Sequence, residues 1–174
     1  CDIGAGIAHL TIPLAKLGYK VVAIGPNVEM TKYGKERTKK FVNVIWYQAT
    51  GEYTKKKDNE FDLVTFGSSF NVMDRNKALK EVYRILKKKC WFAALWNHRD
   101  LKNPIQMEIE KIIKSNIPDY DYGSRREDQT KIIKSSNLYT DIRFFEDKIY
   151  HSQEVKSVIS AWKSHATLHR QAGL

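Results

Sequence analysis

The sequence has few cysteines, no long apolar run and no metal-binding spacing. Its two cysteines, Cys1 and Cys90, give no disulfide framework, which fits the reducing conditions of the cytoplasm. No apolar run approaches the roughly 20 residues of a membrane-spanning helix, and no signal peptide is visible. The histidines and cysteines lack the spacing of a metal site. The sequence therefore predicts a cytoplasmic protein with neither a metal ion nor a membrane partner.

A long block of like charge is also missing, although the chain is basic. Lysine and arginine number 30 against 20 acidic residues, which gives a net charge of +10. Such a balance is compatible with nucleic-acid binding. The densest basic runs, residues 55–57 and 87–89, are nevertheless short. A lysine-rich solvated surface is the favoured interpretation, and nucleic acid is the less favoured partner.

The most informative stretch is CDIGAGIA, at residues 1–8. Asp2 ends a short apolar segment, and Gly4 and Gly6 follow at alternate positions before a helical pattern begins. Glycines at such a turn let the backbone approach a ligand, and the amides that open the next helix point at what is bound. His9 stands where a dinucleotide-binding loop needs its last glycine, and the Gly-Lys-Ser/Thr of a phosphate-binding loop is absent. An ordinary tight turn between a strand and a helix is the alternative.

The rest of the chain alternates predicted strands and helices. Apolar segments predict four strands after the first, the last of them buried on both faces, at residues 19–24, 41–49, 61–66 and 90–96. Helices are expected to follow the capping residues Asn27, Asp74, Asn103 and Ser152. Two further strands, at residues 139–145 and 148–151, are expected to close the sheet. The pattern predicts an α/β fold with a Rossmann-like doubly wound sheet, mostly parallel with an antiparallel closing edge strand.

The glycine stretch resembles the first motif of class I S-adenosylmethionine-dependent methyltransferases, which reads acidic-x-Gly-x-Gly-x-small. Residues 61–65 look like the fourth strand of that family, residues 78–87 like its fourth helix, and residues 91–97 like the fifth strand of its small-molecule branch. The order and spacing of these blocks extend the resemblance over most of the chain. We therefore expect residues 1–174 to form a single methyltransferase-like domain that lacks its N-terminal segment and stops before a closing C-terminal element.

The resemblance implies a site for S-adenosylmethionine at the carboxyl ends of the strands. The methionine part would contact Asp2 and the backbone of Gly4, Ala5 and Gly6. The ribose and adenine would lie at the end of the second strand and at the loop after the third, and Phe70 would close over the sulfonium. The remaining residues implied for the cofactor are Gly25, Pro26, Asn27, Met30, Thr50, Gly51, Glu52, Gly67 and Ser68.

Two positions depart from the pattern of the family. Its second strand normally ends in an acidic residue that accepts hydrogen bonds from both ribose hydroxyls, and Gly25 stands at that place. Thr50 stands where many members have an acidic residue for the adenine amino group, and a hydroxyl accepts more weakly. These departures put the affinity for the cofactor in question.

The acceptor of the methyl group is expected to contact segments outside these motifs. The insertion at residues 100–126 is predicted to form part of the acceptor pocket. No catalytic residue is assigned, although Asn71 and His98 are candidates for a base because each follows a strand at the carboxyl edge. The residues expected to bind the acceptor are Asn71, Asn97, His98, Tyr120 and Tyr122.

The favoured function is methyl transfer from S-adenosylmethionine to an unidentified small molecule. An RNA methyltransferase is one alternative, suggested by the net charge of +10. A methyltransferase-fold binding module without turnover is another, suggested by Gly25. A steep salt dependence of acceptor binding would support RNA, and calorimetry with the cofactor distinguishes the inactive module from either enzyme.

Overall fold

A computed structural model describes residues 1–173 of the chain. These residues divide into two compact units. Unit 1 comprises Cys1–Asn97 and Glu127–Ile142, and unit 2 comprises His98–Arg126 and the residues from Arg143 onward. The blocks that resemble cofactor-binding motifs all lie in unit 1, whereas the insertion at residues 100–126 lies in unit 2.

Unit 1 contains a five-stranded sheet in which every neighbouring pair is parallel. The strands, in chain order, are β1 (Asp2–Ile3), β2 (Val21–Ile24), β3 (Val44–Tyr47), β4 (Phe61–Gly67) and β5 (Leu86–Leu95). Their order across the sheet is β3-β2-β1-β4-β5. The predicted α/β fold with a doubly wound, largely parallel sheet is confirmed. The order reverses between β1 and β4, and ligands of such sheets bind in the crevice beside that reversal.

Seven helices accompany the strands in the described residues. In chain order they are α1 (Thr11–Lys16), α2 (Val28–Thr38), α3 (Arg75–Ile85), α4 (Pro104–Asn116), α5 (Gln129–Ser135), α6 (Val155–Lys163) and α7 (Ala166–Ala172). Three predicted caps are confirmed, since the side chains of Asn27, Asp74 and Asn103 accept hydrogen bonds from backbone amides of the first turns of α2, α3 and α4. Such caps satisfy amides that have no partner within the helix.

The core of unit 1 lies between β4 and α3. Val64 and Phe66 of β4 and Leu79 of α3 are all fully buried. The apolar residues of α3 recur at helical spacing, which gives the helix one face for the sheet. Tyr139 extends this core, because its hydroxyl donates to the carbonyl of Leu79 at 2.8 Å and its ring lies 4.7 Å from that of Phe92. This packing fixes the carboxyl end of β4, where the candidate site lies.

Strand β5 differs from the expectation that it is buried on both faces. It has only β4 as a neighbour, and Trp91 and Leu95 are each 46% exposed. An uninterrupted apolar run cannot distinguish a central strand from an edge strand whose outer face is uncovered, and this explains the error.

The two closing strands at residues 139–145 and 148–151 are absent from the described structure, so the antiparallel edge strand was a wrong prediction. Three aromatic residues of these segments, Phe144, Phe145 and Tyr150, are all exposed. The segments therefore have no buried face against the sheet, and a strand without a partner is not stable by itself.

Unit 2 consists of helices and loops. Its helices are α4, α6 and α7, with a short 3₁₀ helix at Gly123–Arg126. Helix α6 begins after Glu154, not at the predicted cap Ser152, and α7 was not predicted at all. Among its described residues only Ile113 and Tyr120 are buried, so packing is sparse here. None of the helices within residues 1–173 combines the length and apolar character needed to cross a bilayer.

Candidate functional site

The loop between β1 and α1 has the backbone geometry expected of a ligand-binding turn. Gly4 and Gly6 have φ angles of +71° and +54°, in the left-handed region that favours glycine. The amide of Ala5 between them donates to the carbonyl of Ile24 at the end of β2, at 2.9 Å. The loop is thereby fixed beside the second strand, and Gly4, Ala5, Gly6 and Gly25 are brought together as predicted.

Gly4 also has a second reason to be glycine. A Cβ at this position would overlap the side chain of Ser69, which follows β4. The Ser69 hydroxyl donates to the carbonyl of Ile3 at 2.6 Å and the residue is buried. Ser69 therefore ties the ends of β1 and β4 together at the point where the strand order reverses. Sequence reasoning missed this residue, because a serine after a strand has no distinctive spacing.

Asp2 is enclosed by protein. It is 1% exposed, and its carboxylate accepts hydrogen bonds from the hydroxyls of Thr11 at 2.6 Å and Thr65 at 3.1 Å. Burial raises the pKa of Asp2, and these two hydrogen bonds oppose that rise. The carboxylate thus joins β1 to α1 and β4 and holds the loop in place. Its predicted direct contact with a cofactor stays a prediction.

The end of β2 carries an unexpected polar group. Thr31 of α2 is buried, and its hydroxyl has no hydrogen-bond partner in the described structure. The hydroxyl oxygen lies 3.2 Å from the position that a Cβ of Gly25 would occupy. A buried hydroxyl without a partner costs about 1–3 kcal/mol, so a water or ligand atom that hydrogen-bonds to Thr31 beside the glycine loop would be stabilising. The position of the Thr31 hydroxyl beside the end of β2 was not predicted from the sequence.

Helix α2 approaches the glycine loop closely. A Cβ at Gly34 would overlap the ring of Trp46 and would lie 2.8 Å from the carbonyl oxygen of Gly6. One turn further on, the Arg37 guanidinium donates to the carbonyl of Ile7 at 2.8 Å. The small residue and the arginine together clamp the loop against the helix, and neither was predicted to do so.

The residues after β2 line this corner in part. The terminal methyl of Met30 lies 3.1 Å from the Cβ position of Gly6, so the Met30 side chain covers the loop. Pro26 is exposed beside it. The side-chain oxygen of Asn27 accepts from the amide of Met30 at 2.9 Å, which leaves Asn27 engaged as a helix cap. Met30 and Pro26 are therefore the better candidates for contact with a flat ring.

The loop after β3 reaches the same edge of the sheet. Gly51 is buried, and a Cβ there would lie 2.5 Å from the sulfur of Met73 and 3.0 Å from the side chain of Ile3. Glu52 accepts from the amide of Asp74 at 2.9 Å, so its carboxylate joins this loop to the start of α3. Thr50 is exposed and precedes the close contact.

The end of β4 contributes backbone and an aromatic core. Gly67 is exposed, and Ser68 has a φ of +56° while its amide donates to the carbonyl of Leu95 at 2.8 Å. Phe70 is fully buried, and its ring packs 5.3 Å from Phe66. The structure thus shows Phe70 as a core residue, and closure of its ring over a ligand stays a prediction.

The predicted acceptor residues are divided between the units. In unit 1, Asn71 accepts a hydrogen bond from the indole of Trp96 at 2.8 Å, and Asn97 is exposed. In unit 2, Tyr120 and Tyr122 are brought together with ring centroids 5.3 Å apart. His98 is exposed, although part of its ring is covered by protein. This partial burial lowers its pKa, and the charges of the nearby arginines lower the pKa further.

The tyrosine pair has a carboxylate neighbour. The Tyr122 hydroxyl donates to Glu110, and burial together with this hydrogen bond raises the pKa of Tyr122 to about 12. The phenol is therefore a proton donor across the physiological range and not a base. No group of histidines, cysteines and carboxylates within residues 1–173 is arranged to hold a metal ion.

The residues at this edge fit S-adenosylmethionine. Gly6 has a φ in the left-handed region, and the Thr31 hydroxyl, which has no hydrogen-bond partner in the described structure, lies beside Gly25, where the family binds ribose hydroxyls. A hydroxyl thus stands close to the place of the missing carboxylate. Hydroxyls both donate and accept, so Thr31 is compatible with a ribose hydroxyl as its partner.

Comparison with known proteins agrees with this geometry. A family model described as a methyltransferase domain matches residues 1–94. An uncharacterized methyltransferase of Schizosaccharomyces pombe is 35% identical over 104 residues, which cover 59% of this chain and 40% of that protein. The ubiquinone/menaquinone biosynthesis C-methyltransferase UbiE of Pectobacterium carotovorum is 34% identical over 93 residues, covering 49% and 37%. The chain thus spans about two fifths of the length of these relatives.

Solved structures show the same fold. The YcgJ protein from Bacillus subtilis aligns with 98% of this chain and 73% of its own, with a TM-score of 0.65 at 23% identity. The glycopeptide N-methyltransferase MtfA, solved with S-adenosylhomocysteine, aligns with 53% of this chain and 40% of its own, with a TM-score of 0.50 at 22% identity. Since the family model covers more than half of the chain, this protein belongs to the methyltransferase domain family, as its glycine loop and sheet order indicated.

Proposed function

We propose that the chain binds S-adenosylmethionine at the carboxyl edge of the unit 1 sheet and transfers its methyl group to a small molecule. The observation that carries this proposal is the left-handed turn at Gly4 and Gly6, at the reversal of strand order between β1 and β4. Membership of the methyltransferase family and the small-molecule reaction named for the relative UbiE support it.

Within this proposal each part of the edge has a task. The backbone of Gly4–Gly6 holds the methionine part, the Thr31 hydroxyl meets the ribose, and Met30 and Pro26 lie against the adenine. The cofactor supplies an electrophilic methyl group on a sulfonium. Transfer of that group is an in-line displacement, so the contribution of the protein is to position the acceptor and exclude water.

We further propose that the two units serve one activity, as parts of a single methyltransferase-like domain. Unit 1 carries the cofactor residues, and unit 2 supplies the acceptor residues His98, Tyr120 and Tyr122. The remaining acceptor candidates are Asn71 and Asn97. A cytoplasmic location is part of the proposal and is supported by two cysteines that are both free thiols.

A titration with S-adenosylhomocysteine tests the cofactor site. In Gly6→Val a branched side chain must adopt φ +54° and would meet Met30, so we expect affinity to fall at least about tenfold while the fold is retained. Gly18→Val is the matched control, because φ is +88° there and nothing lies within 4 Å of the added Cβ. Equal affinity in both variants, or no binding by the wild type, would contradict the proposal.

Turnover is tested separately. The wild type is incubated with S-adenosylmethionine and a panel of small molecules, and the release of S-adenosylhomocysteine is measured. Acceptor-dependent release is expected. Tight cofactor binding with no release for any acceptor, including RNA, would instead identify a binding module.

A further inference from the structure

Unit 2 gathers three arginines, Arg99, Arg125 and Arg126, that form no ion pair within residues 1–173. All three act electrostatically on the hydroxyl of Tyr120, as does one carboxylate, Glu110. That carboxylate accepts the hydrogen bond of Tyr122. Among the charges that act on this hydroxyl, the positive ones thus outnumber the negative one. Arginine is well suited to binding carboxylate and phosphate groups.

Aromatic rings hold two of these guanidinium groups in place. The Arg99 guanidinium lies 3.8 Å from the ring centroid of Trp162, and the Arg126 guanidinium lies 4.6 Å from that of Tyr122. One nitrogen of Arg126 also donates to the carbonyl of Arg99 at 2.8 Å, which links the two residues. A guanidinium stacked by its face keeps its N–H edge free to donate, so a ligand would lose little arginine side-chain entropy on binding.

Two donors in this cluster are buried without a partner. The hydroxyl of Tyr120 and the Nε of Arg126 are inaccessible to solvent and form no hydrogen bond with any of residues 1–173. Tyr120 is only 6% exposed. Each unmade hydrogen bond costs about 1–3 kcal/mol, and more for a charged group. Such a group marks a place for a bound water, ion or ligand, and both groups here can donate to an acceptor bound there.

The two histidines of the cluster indicate the same excess of positive charge. Partial burial lowers the pKa of His98 and His165, and the charges of the neighbouring arginines lower both further. The Arg99 guanidinium also lies 3.5 Å from Nε2 of His165. Neutral imidazoles add no positive charge of their own, so the positive charge of the cluster comes from its arginines.

We propose that Arg99, Arg126 and Tyr120 form a binding site for an anionic group, a carboxylate or a phosphate, on a small molecule. The site lies entirely within unit 2. An anion supplies both the counter-charge that the arginines lack and the acceptor that Tyr120 and Arg126 lack. Its identification as part of the methyl acceptor rests on the proposed function, whereas anion binding itself does not.

Calorimetry at constant ionic strength tests the site, with inorganic phosphate and succinate as the probes. We expect the wild type to bind at least one of them. Tyr120→Phe removes only the unpartnered hydroxyl, and Arg126→Lys keeps the charge but loses the planar fork, so each is expected to weaken binding about fivefold or more. Arg170→Lys is the matched control, since this arginine is exposed and is not one of the residues proposed for the site, and the affinity of this variant is expected to stay within about twofold of the wild type.

The outcomes are distinct. Stronger binding of phosphate assigns a phosphorylated ligand and stronger binding of succinate assigns a carboxylic acid, and either result supports the site. Binding of neither probe, or equal affinity in all variants, overturns it. A single-stranded oligonucleotide is titrated as well. If it binds more tightly than both probes, is weakened by Arg126→Lys and shows a steep salt dependence, the small-molecule assignment is overturned. S-adenosylhomocysteine is titrated in parallel, so that loss of cofactor binding, which refutes the proposed function, is separated from loss of anion binding.

Discussion

The two units are stabilised in different ways. Unit 1 buries aliphatic and aromatic side chains between β4 and α3, and its one buried acidic residue of α3, Glu81, is paired with Arg84. The described part of unit 2 buries two residues and stacks two arginines on aromatic rings, and neither arginine has an ion-pair partner among residues 1–173. The family model matches residues inside unit 1 alone. The part that the family model matches is thus the closely packed part, and the polar cluster lies outside the matched residues.

The largest expected effect is on packing in unit 1. Phe66→Ala removes a fully buried ring from β4, so the free energy of unfolding should fall by about 3–5 kcal/mol. Phe144→Ala in unit 2 is the control, since that ring is 73% exposed, and it should change stability by less than about 0.5 kcal/mol. Denaturant unfolding measures both variants. Similar losses would show that the two units do not differ in packing.

The next largest effect on stability is expected at the ion pair between Glu81 and Arg84 in unit 1. The Glu81 carboxylate accepts from Arg84 at 2.7 and 2.9 Å and from the Thr54 amide at 2.8 Å. Removal of the guanidinium in Arg84→Ala should lower the free energy of unfolding by about 1–3 kcal/mol, toward the lower end because Arg84 is one-third exposed. Arg125→Gln in unit 2, which removes a charge with no ion-pair partner among residues 1–173, should cause a smaller loss or none.

The same pair predicts a pH dependence. Burial opposes ionisation of Glu81, but the hydrogen bonds from Arg84 and Thr54 outweigh it and hold the pKa of Glu81 below its usual value. A depressed pKa stabilises the folded state above the unfolded pKa, and this stabilisation is lost as the pH falls through the folded value. The difference in stability between wild type and Arg84→Ala should therefore shrink in acid. A difference that grew in acid would contradict the assignment.

Cofactor affinity should respond to the end of β2. Gly25→Glu would place a carboxylate beside the Thr31 hydroxyl, where the family binds the ribose, so we expect about tenfold tighter binding, or roughly 1.4 kcal/mol. The added Cβ would lie 3.2 Å from that hydroxyl, so Thr31 must shift by a few tenths of an ångström. Calorimetry at fixed salt compares Gly25→Glu with Gly25→Gln, which has the same size and no charge. Equal affinities would mean that the ribose does not lie there.

The smallest effect is expected on the cofactor affinity of unit 1 when residues of unit 2 are replaced. Replacing both Tyr120 and Tyr122 by alanine should leave the affinity for S-adenosylhomocysteine within about twofold, under roughly 0.4 kcal/mol. The reason is that the residues proposed for the cofactor all lie in unit 1. A tenfold loss in this variant would break the division between the units.

The sequence predicted well whatever depends on local chemistry. The caps at Asn27, Asp74 and Asn103 and the turn at Gly4 and Gly6 are set by residues within a few positions, and all were found. It predicted poorly whatever depends on a partner distant in the chain. The exposed side of β5 shows this, because the residues of a strand do not state how many neighbours it has.

The site shows the same limit. Ser69 bonds a carbonyl 66 positions earlier in the chain, and Thr31 was visible only once α2 was packed against the end of β2. Neither residue type has a spacing that marks such a contact. The arginine cluster of unit 2 also joins positions far apart, since Arg99 lies against Trp162. The sequence shows tyrosines and arginines in the insertion at residues 100–126. It does not show that the arginines lack ion-pair partners among the described residues.

The position of β1 also has a kinetic consequence. This two-residue strand lies at the centre of the sheet, and the hydrogen bond from Thr65 to Asp2 spans 63 positions. A ribosome adding roughly 5–20 residues per second needs about 3–12 seconds to make the intervening chain. During that interval β1 has no β4 to pair with, and its open edge is available to other strands. Strand β1 is thus made well before the strand that secures it, and slow translation across residues 3–65 would prolong its exposure to chaperones and to misfolding.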